Sequence, residues 1–310
     1  MSSKERDFVR SEVTTLEGLL SSLSEERIIE RIGIEERLAQ ARERLAELEA
    51  RPLARSLPIT FRGAPVEGTR SIDAGFGSAA LKAFIEATDT VAASLVSEAL
   101  RGRGRLPGTG RSLRIVDTAQ GSFGFELELP PPTPDEPQLE LEGLDQGPDP
   151  YVSAIATTFA LLADAAVSDE EGVSDVVAEI HPRAAAKVQA FAKVLSDAGA
   201  GFAAEFDGRR VRLNEGDDVQ RVLDALRDED ISEDTEQHVG MLLGILPESR
   251  RFECRLSDGR LISGRVDRAV PDMSDFKATW EGKDATLSFR VISVRTNRRF
   301  ILTGAEEAQG

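Results

Sequence analysis

The run Leu106-Pro107-Gly108-Thr109-Gly110-Arg111-Ser112 comes nearest in this chain to a phosphate-cradling loop. Such a loop works when successive backbone amides and a lysine surround the phosphates, with a helix starting directly behind them. Here Arg105 stands where the first glycine is needed and Arg111 replaces the lysine. The run also joins a predicted helix to a predicted strand, the reverse of the required order, so it reads as a connection. Metal chemistry needs His, Cys or carboxylates clustered at fixed spacing. His181 and His238 have no second His or Cys at ligand spacing. The stretch Asp228-Glu229-Asp230-Ile231-Ser232-Glu233 starts like a calcium loop, but Glu233 takes the glycine position and Val239 that of the bidentate glutamate. It reads as a solvated acidic turn. No metal, cofactor or catalytic residue is predicted.

Cys254 alternates with Phe252 and Leu256, which points its thiol into a core rather than toward a substrate. His238, beside the acids Glu233, Asp234 and Glu236, is the one candidate base, and it carries the expectation of an enzyme with an unrecognised site. The arginines form a second group. Arg101, Arg103, Arg105 and Arg111 crowd a Gly/Arg loop over 102–114, and Arg255, Arg260, Arg298 and Arg299 belong to an arginine-rich C-terminal segment. Small barrels bind nucleic acid with arginines along the backbone and exposed aromatics under the bases. These eight are therefore the candidate contacts to nucleic acid or another anion. Phe252, Phe289 and Phe300, however, fall at core-type alternating positions. The favoured reading is that the C-terminal arginines pair with acids elsewhere in the chain or in a second copy.

The charge distribution supports that pairing. Of 55 acidic residues, 27 lie in residues 126–236 against 8 basic ones, so this segment's charge of −19 exceeds the net charge of −17 for the whole chain. Such a segment repels nucleic acid and anionic lipid and attracts basic surfaces. One cysteine, a charged opening and no apolar run beyond Val152–Val167 predict a cytoplasmic chain without a membrane span.

The elements that would position these residues follow from periodicity. Residues 5–50 repeat leucine at helical spacing, in two registers, which predicts helices over about 5–21 and 24–50 with a restart near Ser22 and Glu25. Leu16, Leu20, Leu23, Leu38, Leu45 and Leu48 form the apolar seam. A seam this short must be covered by another helix, from the same chain, a second copy or another protein. Beyond Arg51-Pro52, alternation at Ile59 and Phe61, a helix over about 78–100 and a hairpin ending in Phe123, Phe125, Leu127 and Leu129 follow. Residues 130–150 hold seven of the 14 prolines and six acids, as an extended linker does. Helices over 151–199 lead to a hairpin signalled by Asp207-Gly208, a short helix at about 216–228, and a set of short strands.

The predicted fold is therefore α+β: a helical, coiled-coil-like arm over 1–52, mixed α/β segments over 53–129 and 151–236, and a small SH3- or OB-like β-barrel over 237–304. Whether 53–129 and 151–236 share one domain stays open at this level. The segment Gly121–Leu127 and the terminal strand pattern resemble those of bacterial proteins, and no residue is carried over from a named family. The leading functional expectation is a non-catalytic interaction or regulatory component, homo-oligomeric or bound to another protein through the leucine seam. Nucleic-acid binding through the arginines and an enzyme near His238 are the alternatives.

Overall fold

The computed structural model describes residues 3–24, 27–50, 54–96, 112–119, 123–131, 149–227 and 230–307. Helices α1 (Ser3–Ser22) and α2 (Ile28–Ala50) come first, followed by strands β1 (Arg55–Gly63), β2 (Val66–Glu67), β3 (Ser71–Ile72) and helix α3 (Ala74–Val96). Strands β4 (Arg114–Ala119) and β5 (Gly124–Leu129) precede helices α4 (Pro150–Ala166), α5 (Glu170–Glu179) and α6 (Pro182–Asp197). Next come β6 (Ala200–Phe206), β7 (Arg209–Leu213), α7 (Asp217–Ala225) and β8 (Ile231–Leu246). The chain closes with β9 (Arg251–Leu256), β10 (Leu261–Val266), α8 (Met273–Trp280), β11 (Asp284–Val294) and β12 (Asn297–Glu307). This is a mixed α+β architecture. No helix among the described residues is long and apolar enough to cross a membrane.

β1 organises the body. Leu57, Ile59 and Phe61 alternate along it with no exposed surface, so one face of the strand is core. β5 pairs antiparallel with β1 on one side and β6 on the other, giving the order β4-β5-β1-β6-β7. Residues 53–129 and 151–236 thus contribute to one sheet. The β6–β7 turn places Asp207 and Gly208 both at positive φ, as a tight two-residue hairpin demands. Helices α3, α4 and α6 pack together beside this sheet. On α3 the buried residues Phe76, Ala80, Phe84, Ala87 and Val91 recur at three or four positions, one helical stripe. Phe202 is the hub, with ring centroids of Phe191, Phe84 and Phe61 at 5.0, 5.6 and 5.8 Å. The apolar run seen in the sequence is α4, entered through Asp149, whose carboxylate accepts from the amides of Tyr151 and Val152.

The C-terminal strands close on themselves in the order β10-β12-β11-β8-β9, with β10 and β12 parallel and the other ladders antiparallel. Gly264 permits the closing ladder, because a Cβ there would collide with the Phe300 carbonyl and the Phe252 ring. β8 begins at Ile231, ahead of the domain boundary expected at 237, so the acids at 233–236 belong to a strand rather than to a solvated turn. Arginines from β11 and β12 supply the countercharge that keeps an acidic strand paired. The residues 228 and 229 of the acidic stretch lie outside the described residues. Ile292, Val294 and Ile301 on β11 and β12 belong to the same hydrophobic core as the helices and the five-stranded sheet.

α1 and α2 form an antiparallel hairpin with a small cluster of its own, Val13, Leu16, Leu38 and Ala41, against which Leu20, Ile34 and Leu45 pack. Arg10–Glu49 at 2.9 Å and Arg42–Glu17 at 2.7 Å fasten it at two levels. α1 runs through Ser22, whose hydroxyl donates back to the Leu19 carbonyl instead of capping a new helix, and α2 starts at Ile28.

Candidate functional site

Two surfaces concentrate features that the fold alone does not require. The first is the hairpin. Leu16, Leu38 and Leu48 are buried, while Leu20, Leu23 and Leu45 are half-buried. The seam is therefore covered from within the chain. The hairpin leaves Phe8 uncovered near its open end and a larger apolar group uncovered near its turn. Ile28, Ile29 and Ile32 are 63%, 87% and 58% exposed, and Leu19 on the neighbouring helix is 48% exposed. β-branched residues gain nothing as solvated helix positions, and three of them stand together here with Leu19 beside them on the neighbouring helix.

The second is a cleft of about 490 Å³ between the helical layer and the barrel. Its helical wall is α5, on which Glu171, Asp175 and Glu179 recur every four residues and so share one face. The barrel answers with arginines. Arg299 approaches Asp175 at 2.6 Å and Glu171 at 3.7 Å, and Arg265 pairs with Glu179. At the edge, Arg295 joins Glu170 at 2.8 Å and Asp230 at 3.4 Å, and donates to the Asp224 carbonyl. These contacts hold Arg295 above its usual value, the hydrogen bond to Glu170 contributing most. Deeper in, Asp267, 6% exposed, accepts from Arg290 at 3.0 Å and from the Ala269 amide at 3.0 Å. Glu233 lies 3.8 Å from Arg290 and 3.9 Å from His181, whose Nδ1 accepts from the Arg183 amide at the start of α6. A polar chain thus links α6, β8, β11 and the segment after β10. No single sequence motif marks it, since its members are far apart along the chain.

The other candidates lie around the barrel or beyond the described residues. Arg298 pairs with Glu236 and lies 5.1 Å over the Phe300 ring. Arg260 is held by Asp258 at 2.6 Å, and Arg255 stands exposed on β9. Arg101, Arg103, Arg105 and Arg111, with most of the Gly/Arg loop, lie outside the described residues, as does most of the linker at 130–150. His238 Nε2 is 2.9 Å from Glu236, and that hydrogen bond, with Arg298 adding to it, holds the Glu236 carboxyl below its ordinary value. Among the described residues no hydroxyl or thiol hydrogen-bonds to His238; its ring meets Glu236, which also faces Arg298. Cys254 is buried, and burial pushes its thiol up to about 11, which makes it a poor nucleophile at neutral pH. No family model, curated protein or solved structure matches the chain.

Proposed function

We propose that this chain is a non-catalytic protein-interaction or regulatory component whose working surface is the turn end of its N-terminal hairpin. The observation that carries the reading is the exposed group Ile28, Ile29 and Ile32 on an arm whose own leucine seam is already filled. In this reading Leu16, Leu20, Leu23, Leu38, Leu45 and Leu48 zip the hairpin in a coiled-coil-like manner and make it a stiff post, while the isoleucines make the contact. The closed barrel, of the SH3 or OB kind, serves as part of the rigid base. The partner is a second copy of the chain, since two such ends facing each other bury six isoleucines without requiring any complementary charge. Light scattering on the full chain tests this. The expected mass is twice that of one chain, and Ile29→Asp with Ile32→Asp returns it to one while the melting temperature holds. A wild-type chain of single mass at micromolar concentration refutes self-assembly.

Nucleic-acid binding has weaker support, because Arg260, Arg298 and Arg299 each already face a carboxylate. Retention on single-stranded RNA that falls steeply with salt would favour it over the arm.

A further inference from the structure

The cleft between α5 and the barrel holds six arginines in its lining, in a chain whose net charge is −17. Three of them, Arg265, Arg290 and Arg299, pair with acids. The other three, Arg250, Arg251 and Arg268, have no carboxylate within ion-pair distance among the described residues. Two of these are fixed in place by backbone oxygens. Arg250 donates to the carbonyls of Asp267 and Val270 at 2.5 and 2.7 Å, and its Nε reaches that of Val266 at 3.4 Å. Arg268 reaches across the cleft to the Leu95 carbonyl at 2.6 Å, at the end of α3. A guanidinium has five N–H donors in a fixed fork. Arg268 uses one, and Arg250 keeps one nitrogen uncommitted. Arg251 is exposed, and its guanidinium bonds to nothing among the described residues.

Asp267 and Glu248 also line this cleft, but neither forms an ion pair with Arg250, Arg251 or Arg268 among the described residues, and Arg250 and Arg268 lie close enough for their charges to oppose. Burial holds Arg250 below its usual value, Asp267 opposes that shift, and the neighbouring Arg268 charge adds to it. An anion placed between these arginines would relieve their repulsion. We infer that this cleft is a binding site for a small organic phosphate, whose phosphate meets Arg250, Arg251 and Arg268 and whose organic body lies against Phe300, Ile301 and Leu95. Phosphate fits better than a single carboxylate, because it offers two charges and oxygens in several directions to guanidiniums that fork differently. The volume matches that of ordinary small-molecule sites. A nucleic-acid strand fits worse, because the facing wall carries Glu171, Asp175 and Glu179, which repel a polyanion running through. The site owes nothing to the helical arm, and its success or failure leaves the assembly reading untouched.

Calorimetric titration of the full chain at low salt, with adenosine diphosphate and with pyrophosphate, tests it. The expected result is saturable binding of both, with adenosine diphosphate the tighter and displaceable by pyrophosphate. Arg251→Gln and Arg268→Gln should each weaken binding about tenfold. Arg251 makes no contact that folding needs, so that variant stays folded, and a circular dichroism melt verifies both. Absence of heat with either probe overturns the site. Equal affinity of the folded double variant overturns the assignment of these arginines. Adenosine diphosphate binding no tighter than pyrophosphate overturns the role given to the apolar wall. Tighter binding of a short RNA than of either probe refutes a small-ligand site.

Discussion

Replacing Asp267 by alanine isolates the deepest charge between the barrel and the helices. Its carboxylate is almost fully buried and bonds both Arg290 and the Ala269 amide. Its loss strands Arg290, itself only 18% exposed, with Glu233 at 3.8 Å as its remaining near carboxylate. Breaking a buried pair from one side costs about 3–5 kcal/mol, because the partner charge stays desolvated. The residual exposure of Arg290 and the help of Glu233 put the expected loss near the lower end, about 3 kcal/mol. At roughly 2–4 °C per kcal/mol for a protein of this size class, the melting temperature should fall by about 6–12 °C. Removing both charges together, Asp267→Ala with Arg290→Met, takes away the stranded Arg290 cation, although Arg250 still loses the nearby Asp267 charge, and should recover about 1 kcal/mol or more. Urea unfolding followed by circular dichroism gives the free energies by linear extrapolation. A single-variant loss below about 1 kcal/mol, or a double variant no better than the single, would show that the cleft is wet enough to solvate Arg290, and the reasoning would fail.

Three further outcomes are expected. Phe202→Ala removes the ring on which three others converge and should cost about 3–5 kcal/mol by urea unfolding. Asp149→Ala uncaps α4 and should cost about 1 kcal/mol, whereas Asp149→Asn, which still accepts a hydrogen bond, should cost less. The folded Glu236 carboxyl sits below its ordinary value, so its stabilising contribution is present above the unfolded carboxylate range and is lost as pH falls through the folded value. His238→Ala should move Glu236 back up, seen as a higher midpoint in carboxyl carbon NMR; an unmoved midpoint would assign the shift to Arg298 instead.

Local patterns are the legible part of the sequence. Alternation identifies β9 through Phe252, Cys254 and Leu256, and Asp207-Gly208 marks a real hairpin. The leucine spacing identifies two helices, but one-dimensional periodicity cannot say what covers a seam, and here each helix covers the other. Ser22 and Glu25 suggest a restart that α1 overrides by continuing to Ser22. The acids at 233–236 read as a turn because charge normally argues for solvent, whereas their backbone pairs with β11 and Glu233 and Glu236 face Arg290 and Arg298. The cleft is illegible for a related reason. Its arginines are visible as a group and their pairing with acids is expected, but that Arg250, Arg251 and Arg268 form no ion pair among the described residues is visible only in three dimensions.

The shared core has a consequence for how this polypeptide can be cut. Ile292, Val294 and Ile301 fill space in the body from strands that belong to the barrel. A fragment starting at 237 would lose the first residues of β8 and lay those side chains bare, and the remainder would be left with a hole where they had been. The barrel is therefore not a portable cassette. The hairpin, whose small apolar cluster is separate from the core of the body, is the better place to trim.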